Sequence, residues 1–227
     1  MTCCCRKGCD EFFNEGVARR DARRYRRKGL DGNARRIVEL VQGRGVEGKT
    51  VLEVGGGIGA IQLELLQAGV ARTVNVELSP AYDPYAAELL HANGLDARAD
   101  RRLLDFAERA EELAPADVVV LHRVICCYPD YETLVGAAAD HARDQLLLTF
   151  PRDAWWTRLG IGTVNRFQRL RRNAFRVYLH TPAAILEVAS SRGLEIVTRE
   201  RGRLWELVSF ERPPSHTQPS ARADAAT

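Results

Sequence analysis

The chain has 227 residues, of which 45% are hydrophobic and 28% are charged, and its formal net charge is +3. This length fits one domain with a substantial core, and the absence of any apolar run near the roughly 20 residues of a membrane span predicts no transmembrane segment. The N-terminus lacks the apolar stretch and cleavage site of a secretory signal, so we expect a cytoplasmic protein rather than a secreted one.

The six cysteines fall into two clusters, near the N-terminus and near residue 126. This clustering does not resemble a disulfide framework spread over a small secreted domain, so we expect reduced thiols. The N-terminal spacing also lacks the paired CxxC form of common structural zinc sites, and we predict no metal site. The cysteines are Cys3, Cys4, Cys5, Cys9, Cys126 and Cys127.

The N-terminal segment is the most basic part of the chain. Residues 1–36 carry eleven Lys or Arg against five Asp or Glu, a net charge of +6. We interpret this stretch as a basic cap segment that precedes the main domain at residues 37–211. The apolar spacing of Ala34, Ile37, Val38 and Val41 predicts an amphipathic helix at the junction, which ends near Gly43.

Strand and helix patterns then alternate along the domain. This alternation predicts parallel strands with right-handed crossovers and helices on both faces, which is a doubly wound α/β sheet. Two final strand-like runs around Gly202 predict an antiparallel C-terminal hairpin and bring the expected number of strands to seven. The predicted strands are 50–54, 73–78, 97–104, 118–121, 145–150, 194–198 and 204–210, and the clearest predicted helices are 61–69 and 81–92.

Two further segments have distinct compositions. Residues 152–178 combine aromatic and apolar residues at helical spacing with interleaved arginines, and we interpret them as an amphipathic lid insertion. Residues 212–227 are rich in Pro, Ser and Ala and lack apolar periodicity, which predicts a disordered tail.

The strongest motif is VLEVGGGIGAIQLEL at residues 51–65, where a strand, a glycine-rich turn and a helix follow one another. Gly55, Gly57 and Gly59 allow the backbone to turn sharply and a ligand to approach it, while the helix offers free N–H groups. Gly55, Gly57 and Ala60 also fit a dinucleotide pattern, so an NAD(P)-dependent oxidoreductase is an alternative. Glu53 favours a cationic ligand instead, because its carboxylate would repel a pyrophosphate.

The sequence E-x-G-G-G-x-G after the first strand resembles the first motif of class I S-adenosylmethionine methyltransferases, and the resemblance covers about residues 48–210. It implies a Rossmann-like methyltransferase fold, with S-adenosylmethionine as cofactor and S-adenosylhomocysteine as product. It also implies that Glu53 meets the amino group of the cofactor and that Glu77, 18 residues after Gly59, holds the ribose hydroxyls.

The same resemblance places Asp105 and Phe106 at the adenine. The glycine that customarily precedes the acidic residue is Leu104 here, and Asp100 is the substitute if the strand ends earlier. A plain helix-capping role for Asp105 is the competing interpretation.

The loop after the fourth predicted strand, residues 121–134, opens at the expected ligand crevice. The resemblance implies that it faces the reactive methyl group. His122 is the general-base candidate because its ordinary pKa lies near neutrality, and Tyr128 is a second candidate. A His that only orders the loop, and cysteines that only pack, are the competing interpretations.

The methyl acceptor is the least determined part of the prediction. The basic tracts Arg19–Lys28 and Arg152–Arg176 favour a small, anionic or aromatic metabolite as substrate. Motif order and length are distantly similar to methyltransferases that act on quinone precursors or magnesium protoporphyrin. An RNA or protein methyltransferase that uses the arginines is an alternative, as is a non-catalytic binder. We expect a monomer or a homodimer.

Overall fold

A computed structural model describes residues 4–214, with side chains described from residue 8 onward. Cys3, the side chains of Cys4 and Cys5, and residues 215–227 of the predicted tail lie outside the described residues. Nine α-helices and seven strands form within residues 4–214. The helices are α1 Cys4–Phe12, α2 Glu15–Lys28, α3 Gly32–Gln42, α4 Ala60–Gln67, α5 Asp83–Ala92, α6 Phe106–Arg109, α7 Tyr131–His141, α8 Trp155–Leu170 and α9 Pro182–Ser191.

All seven strands belong to one sheet with the order β3-β2-β1-β4-β5-β7-β6. The first five are parallel, and β7 pairs antiparallel with both β5 and β6, so the predicted doubly wound sheet with its C-terminal hairpin is confirmed. The strands are β1 Thr50–Val54, β2 Arg72–Glu77, β3 Ala99–Leu103, β4 Ala116–His122, β5 Ala142–Pro151, β6 Glu195–Arg201 and β7 Trp205–Glu211.

The core covers both faces of this sheet. Residues of β4 alternate between the two faces: Val119 and Leu121 belong to one apolar cluster, and Val118 and Val120 belong to the other. The four apolar residues predicted to form the buried face of α3 are all buried in the second cluster. Burial on both faces explains why β4 is a continuous apolar run rather than an alternating one.

The N-terminal segment is helical, which its polar composition did not predict. Asn14 caps α2 by accepting hydrogen bonds from the N–H groups of Gly16 and Val17, and Ala18 and Ala22 form a narrow buried face. Arginine is a good helix former, and only small residues are needed where α2 packs closely on the domain. The sequence contained a helix N-cap residue and two alanines four residues apart, but no wide apolar stripe.

The strand order reverses between β1 and β4, so the carboxyl ends of these strands open a crevice at one edge of the sheet. Helices α2 and α3 lie in front of this edge, where their residues meet the loops that follow β1, β2 and β4. Over the described residues, no helix is long and apolar enough to cross a bilayer.

Candidate active site

A cavity of about 300 Å³ lies at the carboxyl edge of β1, β2 and β4. Its floor is the glycine loop between β1 and α4, and its outer wall comes from α1, α2 and the start of α3. The N-terminal segment therefore forms part of the wall of this cavity. Other parts of the lining come from the strand ends, and the lining includes Arg24, Asp31, Glu53, Gly55, Gly57, Glu77, Tyr82, His122, Arg123 and Cys127.

The glycine loop is packed so closely that side chains are excluded. Gly55 has φ +66° and its N–H donates to the carbonyl of Val76 at 2.7 Å, which fixes the start of the turn. A Cβ on Gly56 would lie 2.4 Å from Asn75 Nδ2 and 2.6 Å from Glu53 Cδ. The loop backbone is therefore held against polar side chains beneath it, while its upper side faces the cavity.

Glu53 lies at the end of β1, where 2% of its surface is exposed, and it accepts a hydrogen bond from the N–H of Gln62 at 3.2 Å. Burial raises the pKa of Glu53 to about 8, although the Gln62 N–H and the nearby Arg101 cation oppose this shift. A cation in the cavity would favour the ionised carboxylate. Glu53 is thus placed to receive a positively charged ligand group.

Glu77 lies at the end of β2 and connects this strand to the glycine loop. Its carboxylate accepts hydrogen bonds from the N–H groups of Gly57 at 2.9 Å, Leu78 at 2.8 Å and Ser79 at 3.2 Å. Burial raises the pKa of Glu77, and the backbone donors oppose the rise. The carboxylate is therefore held in one place at the cavity, with oxygen lone pairs left to accept further hydrogen bonds.

A buried polar layer supports the two carboxylates from below. Asn75 on β2 is fully buried, and neither polar atom of its side chain has a partner among the described residues. Arg101 on β3 donates to Asp83 at 3.0 Å, and its charge lowers the pKa of both Glu53 and Glu77. This layer offsets part of the cost of burying two carboxylates side by side.

His122 stands at the end of β4 on the opposite side of the cavity. Its Nδ1 lies 3.0 Å from Thr149 Oγ1, while its Nε2 lies 3.8 Å from Asp31 Oδ2, too far for a direct hydrogen bond. Burial lowers the pKa of His122, and Asp31 partly opposes this. The imidazole is therefore neutral at pH 7, with one nitrogen oriented by a hydroxyl and the other near a carboxylate.

Asp31 and Arg123 join the N-terminal segment to the loop after β4. Asp31 caps α3 by accepting from the N–H of Ala34 at 3.0 Å, and its other oxygen lies 2.9 Å from Arg123 Nη1. Burial alone would raise the pKa of Asp31, but His122, the Ala34 N–H and Arg123 outweigh it and hold this pKa well below its usual range. Arg123 has φ +60°, a conformation that the ion pair and the Trp205 ring, 4.9 Å from its guanidinium carbon, help to hold.

Sequence reasoning predicted a basic N-terminal cap segment but did not identify which of its side chains form this wall. Asp21, Arg24 and Tyr25 of α2 line the cavity, and Tyr82 donates to Asp21 at 3.3 Å beneath them. The available signal was the N-cap position of Asp31 before the apolar period of α3, which places a carboxylate at a helix start. Which neighbour that carboxylate meets depends on tertiary packing.

The structure brings Glu53, Gly55, Gly57, Glu77 and His122 together around the cavity, and Gly59 lies at the start of α4 directly below it. Three other predicted site residues do not line this cavity. Tyr128 is buried and donates to Asp105 at 3.1 Å, Asp105 caps α6 through the N–H of Ala107, and Phe106 is part of the core.

The insertion at 152–178 also contributes no side chain to the cavity, although all of its residues are described. It contacts the cap instead: Phe175 packs on Phe12 and Phe13, and Phe13 is itself a wall residue. Among the thiols, Cys127 and Cys9 reach the cavity, and within the described residues no group of three potential ligands is close enough to hold a metal ion.

The residues at the carboxyl ends of β1 and β2 fit S-adenosylmethionine by their chemistry. A Cβ at Gly55 or Gly56 would collide with neighbouring side chains, and the buried Glu53 and the half-buried Glu77 lie beside the loop. A cationic ligand would favour ionisation of Glu53, whereas a pyrophosphate would oppose it and would also be repelled by Glu77, so the dinucleotide alternative is not favoured.

Comparisons with known proteins concern the family and the fold. A family model described as a methyltransferase domain matches residues 22–199. This range includes the second half of α2, the glycine loop, Glu77 and His122, and so most of the residues that line the cavity. No curated protein matches the chain significantly in sequence.

Solved structures show the same fold at low sequence identity. Magnesium protoporphyrin IX methyltransferase from Synechocystis with bound S-adenosylhomocysteine is similar with a TM-score of 0.72 and 19% identity, over 92% of this chain and 99% of that one. A TehB-like S-adenosylmethionine-dependent methyltransferase from Corynebacterium glutamicum gives 0.61 and 17% identity, over 88% and 100%. An O-methyltransferase family protein from Burkholderia thailandensis gives 0.63 and 20% identity, over 79% and 56%.

Proposed function

Because this chain belongs to the methyltransferase domain family and is an S-adenosylmethionine-dependent methyltransferase, we propose that its methyl acceptor is a small anionic or aromatic metabolite. The acceptor atom is an oxygen, nitrogen, carbon or sulfur nucleophile. The observation that carries this proposal is the composition of the cavity lining. Arg24 and Arg123 supply cations to it, and Phe13, Tyr25 and Tyr82 supply aromatic rings.

The carboxylates and the glycine loop hold the cofactor in this proposal. Glu77 accepts hydrogen bonds from the ribose hydroxyls, and Glu53 meets the amino group of the methionine moiety. Gly55, Gly57 and Gly59 let the backbone approach the ligand, because a Cβ at this loop would collide with its neighbours. When bound, the cofactor supplies a methyl group attached to a positively charged sulfur.

His122 acts as the general base when the acceptor carries a proton. With the Nδ1 proton donated to Thr149 Oγ1, the Nε2 atom has the lone pair that accepts the substrate proton. Asp31, 3.8 Å away, then stabilises the imidazolium that forms. The lowered pKa of His122 keeps the base in its neutral form before the reaction.

The remaining contribution of the protein is positional. Methyl transfer is an in-line displacement, so the nucleophile, the methyl carbon and the sulfur must be held collinear. The residues that would hold the cofactor are on the β1 and β2 side of the cavity, which leaves the space between His122 and the N-terminal wall for the acceptor. Arg24 and Arg123 orient an anionic group of the acceptor by charge.

The test is to incubate the purified protein with methyl-labelled S-adenosylmethionine and a cell extract separated by size. We expect label in the small-molecule fraction, retained on an anion-exchange resin, and less label with the Glu77→Ala variant at a low cofactor concentration. Label recovered in RNA or in protein would contradict the proposed acceptor class without affecting the assignment as a methyltransferase.

A further inference from the structure

Helix α8 has its apolar side outward. Its buried residues are the polar Thr157 and Gln168, whereas Trp155 is 72% exposed, Leu159 is 65% exposed and Leu170 is 75% exposed. A surface helix normally buries its apolar stripe and exposes its polar face. The orientation of α8 is therefore the reverse of the one that burial of its apolar side chains in this chain would stabilise. The exposed apolar stripe is available to contact another surface.

The stripe runs the length of the helix with Thr163 and Arg166 among its apolar residues, and it is bordered by further arginines. At 3.6 residues per turn, Trp155, Trp156, Leu159, Phe167 and Leu170 fall within an arc of about 120°. Arg158 and Arg169 lie along one border and Arg171 lies along the other, where its guanidinium carbon is 4.2 Å from the centre of the Phe167 ring. The turn between β6 and β7 extends the surface, since Leu204 is 52% exposed beside Trp156. We call these residues the α8 surface.

The charge of the segment is one-sided. Residues 152–178 contain seven arginines and one acidic residue, Asp153, which binds Arg158 at 2.8 Å. Within residues 4–214 the other two arginines of the helix and the two arginines directly after it form no ion pair. The complementary partner is therefore a surface that offers both apolar contact and many anions. The unpaired cations are Arg166, Arg169, Arg171 and Arg172.

We propose that the α8 surface docks on an anionic lipid bilayer, with the helix lying in the plane of the interface. Trp, Phe and Leu insert among the acyl chains, and the bordering arginines extend to the headgroups. Trp rings favour this depth because they present an apolar body and one polar N–H. Each arginine near an anionic leaflet adds attraction that salt screens.

A second copy of the chain or a nucleic acid fits the same surface less well. Two copies of the α8 surface would bring two arginine borders together, and like charges oppose that contact. RNA would use the arginines but would leave the Leu159 and Leu170 side chains in water. An anionic bilayer contacts both the apolar residues and the arginines of the α8 surface.

Docking of α8 on a bilayer would also be connected to the active site through packing contacts. The segment after α8 leads to Phe175, which packs on Phe12 and Phe13, and Phe13 lines the cavity. A bilayer bound to α8 therefore lies against the same insertion that supports the cap.

The test measures co-sedimentation of the full chain with vesicles of phosphatidylcholine and phosphatidylglycerol, and with phosphatidylcholine alone. We expect binding to the anionic vesicles that weakens with salt, and quenching of tryptophan fluorescence by brominated acyl chains. Leu159→Ser with Leu170→Ser, or Arg166→Glu with Arg169→Glu, should each weaken binding at least about tenfold.

The matched control is Ile196→Ser with Val197→Ser, which removes two exposed apolar side chains from the edge strand β6. It should bind vesicles as the unsubstituted chain does. Equal loss in this control, no binding to anionic vesicles, or dimerisation that Leu159→Ser with Leu170→Ser abolishes would overturn the proposal. So would RNA binding that these apolar changes leave intact in the absence of vesicle binding.

Discussion

The two sides of the cavity are held together by different kinds of contact. On the cofactor side, Glu77 is fixed by three backbone N–H groups at the ends of neighbouring elements. On the acceptor side, His122 and Arg123 are oriented by side chains, chiefly Thr149 and Asp31. Backbone donors at strand ends come with the fold, whereas the Asp31–Arg123 pair depends on the N-terminal segment. Under the proposed function, the fold thus provides a general cofactor side, and β5 and the N-terminal segment together provide a specific acceptor side.

The largest expected effect comes from breaking the acceptor side alone. His122→Ala should lower kcat about a hundredfold or more while S-adenosylmethionine affinity stays within about twofold, because general-base catalysis is lost and the cofactor carboxylates are untouched. Turnover and calorimetry measured on the same preparation check this.

His91→Ala is the matched control, since His91 is exposed on α5 and should leave both quantities unchanged. If the acceptor is already deprotonated, or if His122 only orders the loop, kcat will not fall. That outcome would remove His122 from the mechanism and would leave the acceptor side with a purely positional role.

The next largest effect concerns the packing of the glycine loop on the cofactor side. Gly56→Ala places a methyl group against Asn75 and Glu53, and we expect about 1–3 kcal/mol of lost stability together with weaker cofactor binding. Gly162→Ala on α8 has nothing within 4 Å and should stabilise the helix by up to about 1 kcal/mol. Chemical unfolding compares the two, and equal effects would show that space at the loop is not limiting.

These two sides also differed in how well the sequence predicted them. Glu53 and the glycines were predicted as site residues from the motif after the first strand, and Glu77 from the resemblance together with its position at the end of the second strand. Asp31 was missed, and Arg24 was included only as part of the tract Arg19–Lys28, because their positions depend on how α2 and α3 pack on the sheet. No local sequence pattern predicts how these helices pack on the sheet.

The loops after β3 and β4 show that sequence patterns can also indicate site residues that the fold uses for other contacts. Asp105 and Tyr128 have the chemistry of site residues, yet in the fold they bind each other and Asp105 caps α6. A capping pattern and a ligand-binding pattern use the same residue type at the same strand end. Only the neighbouring side chain distinguishes the two.

A smaller effect tests the charge of the cofactor side. Glu77→Ala should weaken S-adenosylmethionine at least about tenfold, or about 1.4 kcal/mol, because the ribose hydroxyls lose their acceptor and the loop loses the bond at Gly57. Glu88→Ala removes an exposed carboxylate that pairs with Arg26 on α2 and should leave affinity unchanged. Unaltered affinity in the Glu77 variant by calorimetry would exclude it from the cofactor site.

The last prediction concerns the pH dependence of Glu53, which gains or loses at most one proton. Its pKa is raised from 4.5 to about 8 in the folded chain, so the folded state holds a proton that the unfolded state releases. The corresponding stability is fully present below pH 4.5 and is lost as pH rises through about 8. Glu53→Gln should remove this part of the pH dependence, measured by unfolding at several pH values.

Cofactor binding sharpens this prediction, because a cation beside Glu53 favours its ionised form. At pH 7 the unliganded protein holds the proton, and binding of S-adenosylmethionine should release it. Calorimetry in buffers of different ionisation enthalpy measures that release, and Glu53→Gln should abolish it while His122→Ala should not. If proton release persists in the Glu53→Gln variant, a group other than Glu53 releases the proton. Coupling between proton release and cofactor binding would then no longer be a property of the Glu53 side of the cavity.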